Sequence, residues 1–393
     1  MVYVSARRKV YDILVISGLF ATTVALLRFP RESVAAAIDG LALSFSVVIP
    51  ALFPFFVLSN LMVSLGLTRY LDRLFAPMMR PLFNVSGAGA SALVLGLVGG
   101  YPVGAKTAVS LYESGRITKS EAERLLAFCN NAGPAFVFGV VGVGIFASSH
   151  VGVLLYLSHV SMALCIGILF RFWRRRRDDG DWQMQAEHAS TVKFAPAFID
   201  SVVDAVSSTL RICGFVTFFA IFTRLLFFAG IIPAAASLLG SLLYRFDFGA
   251  MWAQTFLVGL TELSSGVWNL RELAGQVPGA VAMAAFMLGW AGTSVHCQVF
   301  SFVGQSGLSV RSYLLGKFLH GTASAAFIFI LDRFIPFGSQ AVIGVEGVVA
   351  ADAVPVFAPS PLARGGLLIF ILLICVFFIK KTRQTGRNTV YWI

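Results

Sequence analysis

Charge is the scarcest ingredient of this chain: Asp, Glu, Lys and Arg make up 12% of its 393 residues, about half the share in a soluble domain. That shortage, with 58% hydrophobic residues and a mean hydropathy of +0.83, excludes a soluble globular fold. Disordered and coiled-coil classes fall too, because they need charge or heptads. Cysteine is sparse as well. Cys129, Cys165, Cys213, Cys297 and Cys375 lie in or beside apolar runs, with no CxxC pair and no metal-ligand spacing. They read as small core residues, and no metal or cofactor is expected. Catalytic signatures are missing: there is no GxSxG, no HExxH, no Walker A lysine in a GxxxxGK frame, and no paired acids suited to glycosyl or phosphoryl chemistry. An enzyme and an ATP-driven pump are disfavoured. The apolar stretch from Val10 to Leu27 lacks a small-x-small cleavage site and runs directly into Arg28, so it is expected to be an uncleaved transmembrane helix.

What the chain does have is apolar spans, with room for about ten of ~20 residues each. They run at about 11–27, 34–66, 87–112, 122–148, 151–172, 200–231, 251–274, 279–304, 313–334 and 365–379. Four carry Gly, Pro and polar residues at their centres: Gly99-Gly100-Tyr101-Pro102-Val103-Gly104, Asn130-Asn131-Ala132-Gly133-Pro134, Thr261-Glu262-Leu263-Ser264-Ser265-Gly266 and Gly292-Thr293-Ser294-Val295-His296. Non-helical backbone at membrane depth is tolerated only where protein or a water-filled cavity satisfies its amides. The first and third interruptions predict re-entrant hairpins, the second and fourth broken helices, and all four imply one shared polar cavity.

The interruptions repeat. Asp39 aligns with Asp204 at an offset of 165, Gly66 with Gly230 at 164, Gly96 with Gly259 at 163, Gly104 with Gly266 at 162 and Asn131 with Gly292 at 161. Charge gives the orientation. With the start of the chain inside, the loops 1–10, 69–80, 112–124, 171–193, 311–317 and 380–393 fall in the cytosol and hold 21 of the 30 Lys and Arg, as the positive-inside rule requires. This explains most of the net charge of +11 without a nucleic-acid partner, and it makes the two halves antiparallel. The expected fold is therefore an all-α, polytopic integral membrane protein, an inverted structural repeat with two re-entrant helical hairpins and two broken helices, the architecture of secondary transporters. Its divisions are an N-terminal transmembrane helix (1–33), a first repeat (34–173), a cytosolic linker (174–199), a second repeat (200–335), and a loop with a C-terminal transmembrane helix and basic tail (336–393). Both termini are expected in the cytosol.

Lys106, inside the first hairpin, either pairs with a buried acid such as Glu262 or contacts an anionic substrate beside helix N-terminal amides. Glu262 pairs with Lys106 or couples transport to H+ or Na+. His296 is a core histidine bonded to backbone or a substrate and proton ligand, and Asn130 and Asn131 cap the broken helix or face the cavity. Tyr101, Gly104, Ser264, Ser294 and Gln298 complete the candidate binding set. Asp39 and Asp204 read as structural, and Thr118 with Glu121 as a capping box.

The Gly100-Tyr101-Pro102-Val103-Gly104-Ala105-Lys106 run, the Glu121 to Pro134 stretch and Trp290-Ala291-Gly292-Thr293-Ser294-Val295-His296-Cys297-Gln298 resemble the sporulation integral membrane protein family YlbJ, also called SpoVV, within the nucleoside-recognition or Gate domain group. The resemblance covers roughly residues 35–335. It implies a protein of the outer forespore membrane that moves dipicolinic acid from mother cell towards forespore. A small planar dianion would suit Lys106, His296, helix-end amides and Asn or Ser side chains. The Gate group is related in architecture to nucleoside carriers, so a nucleoside is a second expected substrate class, and a non-transporting scaffold of spore assembly is a third reading. The sequence leaves open a homo-oligomer or a partner membrane protein, and plain cell-membrane residence.

Overall fold

The structure, a computed structural model, describes residues 2–173, 193–243, 249–273 and 279–334. Most of the expected linker (174–192), the loop 337–361 and the span 365–379 lie outside the described residues. Among the described residues there is no strand: the chain is an all-α polytopic membrane protein.

Helix α1 (Val2–Arg28) turns by 99° at Phe29 into α2 (Pro30–Leu43), where Pro30 supplies a preset φ at a position that needs no donor. A π-helical turn (Ser44–Val48) joins α2 to α3 (Ile49–Ser64), which holds Pro54 inside it. The apolar span 34–66 is thus two helices, because Pro50 at the start of α3 removes a donor from the ladder and the backbone adjusts around it. Past Gly66, whose φ is +65°, the chain bends by 87° into α4 (Thr68–Met78) and a π turn (Met79–Phe83). This corrects the expected cytosolic loop 69–80. Asp72 and Met79 face inward while Arg69, Arg73 and Arg80 face outward, an amphipathic pattern that a hydropathy reading passes over.

The first hairpin is α5 (Ala90–Gly99) and α6 (Val103–Glu113). Helix α7 (Lys119–Leu126) opens on the expected capping box, Thr118 and Glu121 each bonding the other's backbone. An irregular stretch leads to a π-helical segment (Ala135–Ile145) and then to α8 (Ser149–Phe170). The same succession follows in the second half. The long rod is α9 (Phe194–Phe228), followed by α10 (Ile231–Leu242), which no apolar span predicted. The hairpin is α11 (Ala250–Thr261) with α12 (Leu263–Asn269), the broken helix α13 (Gly279–Trp290) with α14 (Gly292–Ser306), and the last helix α15 (Arg311–Phe334).

Helices α2 and α3 lie along α9, with Gly40 against the Thr217 backbone and Asp39 paired to Arg224 at 3.0 Å. One apolar core gathers the π segment, α8, α12 and α13, and a second gathers the first hairpin, α7 and the start of α15. Large apolar side chains such as Phe198, Leu210, Phe218, Phe329 and Ile330 point outward, as a lipid-facing surface requires.

Candidate functional site

Glycine decides how closely the hairpin arms approach. In the first hairpin Gly96 meets Gly104, and a Cβ on either would run into the Cys129 carbonyl of the broken helix. In the second, Gly266 lies against Gly259, and both face the Met287 side chain. Gly104, expected in the binding set, therefore serves packing. The first hairpin turns at Gly100, Tyr101 and Pro102, so Lys106 sits one turn into α6 instead of at the tip. The second turns at Glu262, whose two carboxylate oxygens accept from the backbone N–H groups of Ser264 (3.0 Å) and Ser265 (2.6 Å). Glu262 is the N-cap of α12, and no ion pair joins it to Lys106 among the described residues.

The broken helices meet these tips. After α7 the backbone is irregular from Cys129 to Gly133, and the Asn131 carboxamide donates to the Phe128 carbonyl at 2.8 Å. Asn131 thus takes the capping role. Gly133 abuts Gly100 at the hairpin tip. In the second half Ala291 and Gly292 both have φ near +78° (77° and 78°), and Trp290 and Thr293 donate to the Leu260 carbonyl on the second hairpin (3.2 and 3.0 Å). Ser294 is buried in the first turn of α14.

Packed at the first break is a polar group that the span-by-span reading missed. Lys317, counted above in a cytosolic loop, is fully buried, and its Nζ donates to the Asn130 carbonyl at 2.9 Å. The Tyr101 ring lies 5.6 Å from that nitrogen, and the Tyr101 hydroxyl donates to the Leu288 carbonyl at 3.2 Å. His296 bonds through Nδ1 to the Tyr313 hydroxyl at 2.9 Å, not to backbone. The His159 Nε2 accepts from the Ala132 N–H at 3.0 Å, which leaves the proton on Nδ1. The His320 Nε2 donates to the His159 carbonyl at 2.8 Å, and the two imidazoles stand 4.4 Å apart. A signal was present: Tyr313, Lys317, His320 and Ser324, all fully buried, fall at spacings of four, three and four on one face of α15. His159 and His320 also differ by 161, the offset of the repeat at that point.

A cavity of about 330 Å³ lies on the other side of the hairpin tip, between α3, α6 and α9. Lys106 and Gln298 line it with Arg211, Asp204 and Asn60. The Arg211 guanidinium stacks on Phe302 at 5.4 Å. Asp204, expected to be structural, faces this space. Tyr101 covers Lys317 while the next residue, Pro102, lines the cavity. Of the expected binding residues, Lys106 and Gln298 share the cavity, and Tyr101, Asn130 and His296 belong to the Lys317 cluster. Ser264 lies at the second tip.

Residues 45–170, which contain the first hairpin and its broken helix, match the Gate family, described as nucleoside recognition. The resemblance to the YlbJ family holds. The sporulation integral membrane protein YlbJ of Bacillus subtilis (strain 168) is 28% identical over 339 residues, 82% of this chain and 83% of its own. Neither the Gate family nor YlbJ is described as an enzyme. No solved structure matches.

Proposed function

We propose that this chain is a secondary carrier for a small carboxylate anion, with dipicolinate as the substrate that its YlbJ likeness favours, moved from mother cell towards forespore. The observation that carries the reading is the cavity beside the first hairpin tip, lined by Lys106, Arg116 and Arg211 with one acid, Asp204, in a membrane protein. Three cations against one carboxylate attract carboxylates and repel cations. The cytosolic placement of both termini and residence in the outer forespore membrane are part of the same reading. The Gate description favours a second substrate class, a nucleoside, which has no need of Lys106.

Uptake of labelled dipicolinate into proteoliposomes tests the choice. Saturable uptake is expected, with Lys106→Ala reducing it at least about tenfold at low substrate, the loss of one charged contact, and with uridine failing to compete. Uridine uptake that survives Lys106→Ala would favour the nucleoside carrier. Well-folded protein that moves neither solute under H+ or Na+ gradients would leave the scaffold reading.

A further inference from the structure

Lys317 is fully buried, and among the described residues no carboxylate pairs with it. One of its hydrogens goes to the Asn130 carbonyl. A buried amine without a counter-charge is costly whether it is held as ammonium or stripped of its proton, so a purely structural residue at this point would be better replaced by an apolar one. Around it are other polar atoms with nothing to bond. Both carboxamide atoms of Asn130, Oδ1 of Asn131, Nδ1 of His159, Nε2 of His296 and Nδ1 of His320 are buried without a hydrogen-bond partner. Native interiors rarely leave such groups unpaired, and a cluster of them is chemically equipped to bind a polar ligand or water.

Resting on the carrier reading, we propose that Lys317, Asn130 and His159 form the occluded site that holds a carboxylate of the transported anion. Lys317 supplies the charge, and Asn130 Nδ2 and His159 Nδ1 supply neutral donors. The orphaned acceptors, Asn131 Oδ1 and His320 Nδ1, take a water that enters with the anion. The Tyr101 and His296 rings flank the group and suit a flat ligand. Lys106 then acts on the way in, and the first hairpin tip divides the outer cavity from the inner site.

The test is equilibrium binding of dipicolinate to the solubilised full chain by calorimetry, with proteoliposome uptake alongside. Lys317→Met is expected to weaken binding at least about thirtyfold, as loss of a charged hydrogen-bond partner does, while the thermal midpoint of the ligand-free protein holds or rises. Asn130→Ala leaves the backbone carbonyl in place and is expected to weaken binding by about fivefold. It guards against a Lys317 variant that fails to fold. Binding that persists in folded Lys317→Met, or that is unchanged in Asn130→Ala, overturns the assignment, as does wild-type protein that binds no dipicolinate. Binding without flux upholds the inner site and removes the carrier. Flux that survives Lys317→Met does the reverse.

Discussion

Glu262 and Asp72 are buried acids whose partners are backbone amides and one arginine, and their substitution reads out in stability. Glu262→Ala removes the acceptor for two amides at the second hairpin tip and is expected to cost about 1–2 kcal/mol, seen as a lower thermal midpoint of the solubilised protein. Glu262→Gln keeps an acceptor and is expected to retain uptake. Loss of gradient-driven uptake at unchanged stability would instead assign this carboxylate the coupling of H+ or Na+. Asp72 accepts from the Ser91 N–H at 3.0 Å and from Arg116 at 2.8 Å. Asp72→Ala should destabilise by about 1–3 kcal/mol, and Arg116→Ala by less, since Arg116 is the more exposed partner. At this scale Lys106 and Asn130 stand out in the sequence, because polar residues inside an apolar run need a reason, and the structure places one at the outer cavity and the other against Lys317. Lys317 was not. Its position close to a basic loop looked solvated, and its burial comes from Asn130 and Tyr101, 187 and 216 residues away along the chain. Single-span reasoning cannot see such contacts, although the polar stripe on α15 announces them.

The hairpins show how element structure hangs on single hydrogens in place of side chains. Gly96→Ala, Gly104→Ala, Gly259→Ala and Gly266→Ala each push a methyl into backbone or a packed methionine. Each is expected to cost about 1–3 kcal/mol or more, measured as loss of monodisperse protein on size exclusion. Gly214→Ala in α9 meets nothing within 4 Å and should gain up to about 1 kcal/mol from helix propensity. The hairpins and breaks were readable for the same reason: glycine, proline and Asn at mid-span are incompatible with a lipid-facing helix. Helices α4 and α10 escaped for different reasons: α4 is amphipathic, with its arginines outward, and α10 is apolar but, at 12 residues, too short to read as a span.

For the molecule as a whole, orientation is the open arrangement that charge predicts. In a cysteine-free background, single cysteines at Gly115 and Ser309 are expected to react with a membrane-impermeant maleimide only from the cytosolic side, and one at Arg271 only from the other. The reverse pattern overturns the assigned topology. Because Tyr101 and Pro102 are adjacent at the turn of the first hairpin and face the inner group and the outer cavity respectively, a displacement of that one turn alters both compartments together. On the carrier reading proposed above, a solute then advances one molecule per hairpin movement. Flux through this protein should plateau with concentration at the frequency of that movement, where a continuous pore would keep conducting in proportion to the gradient.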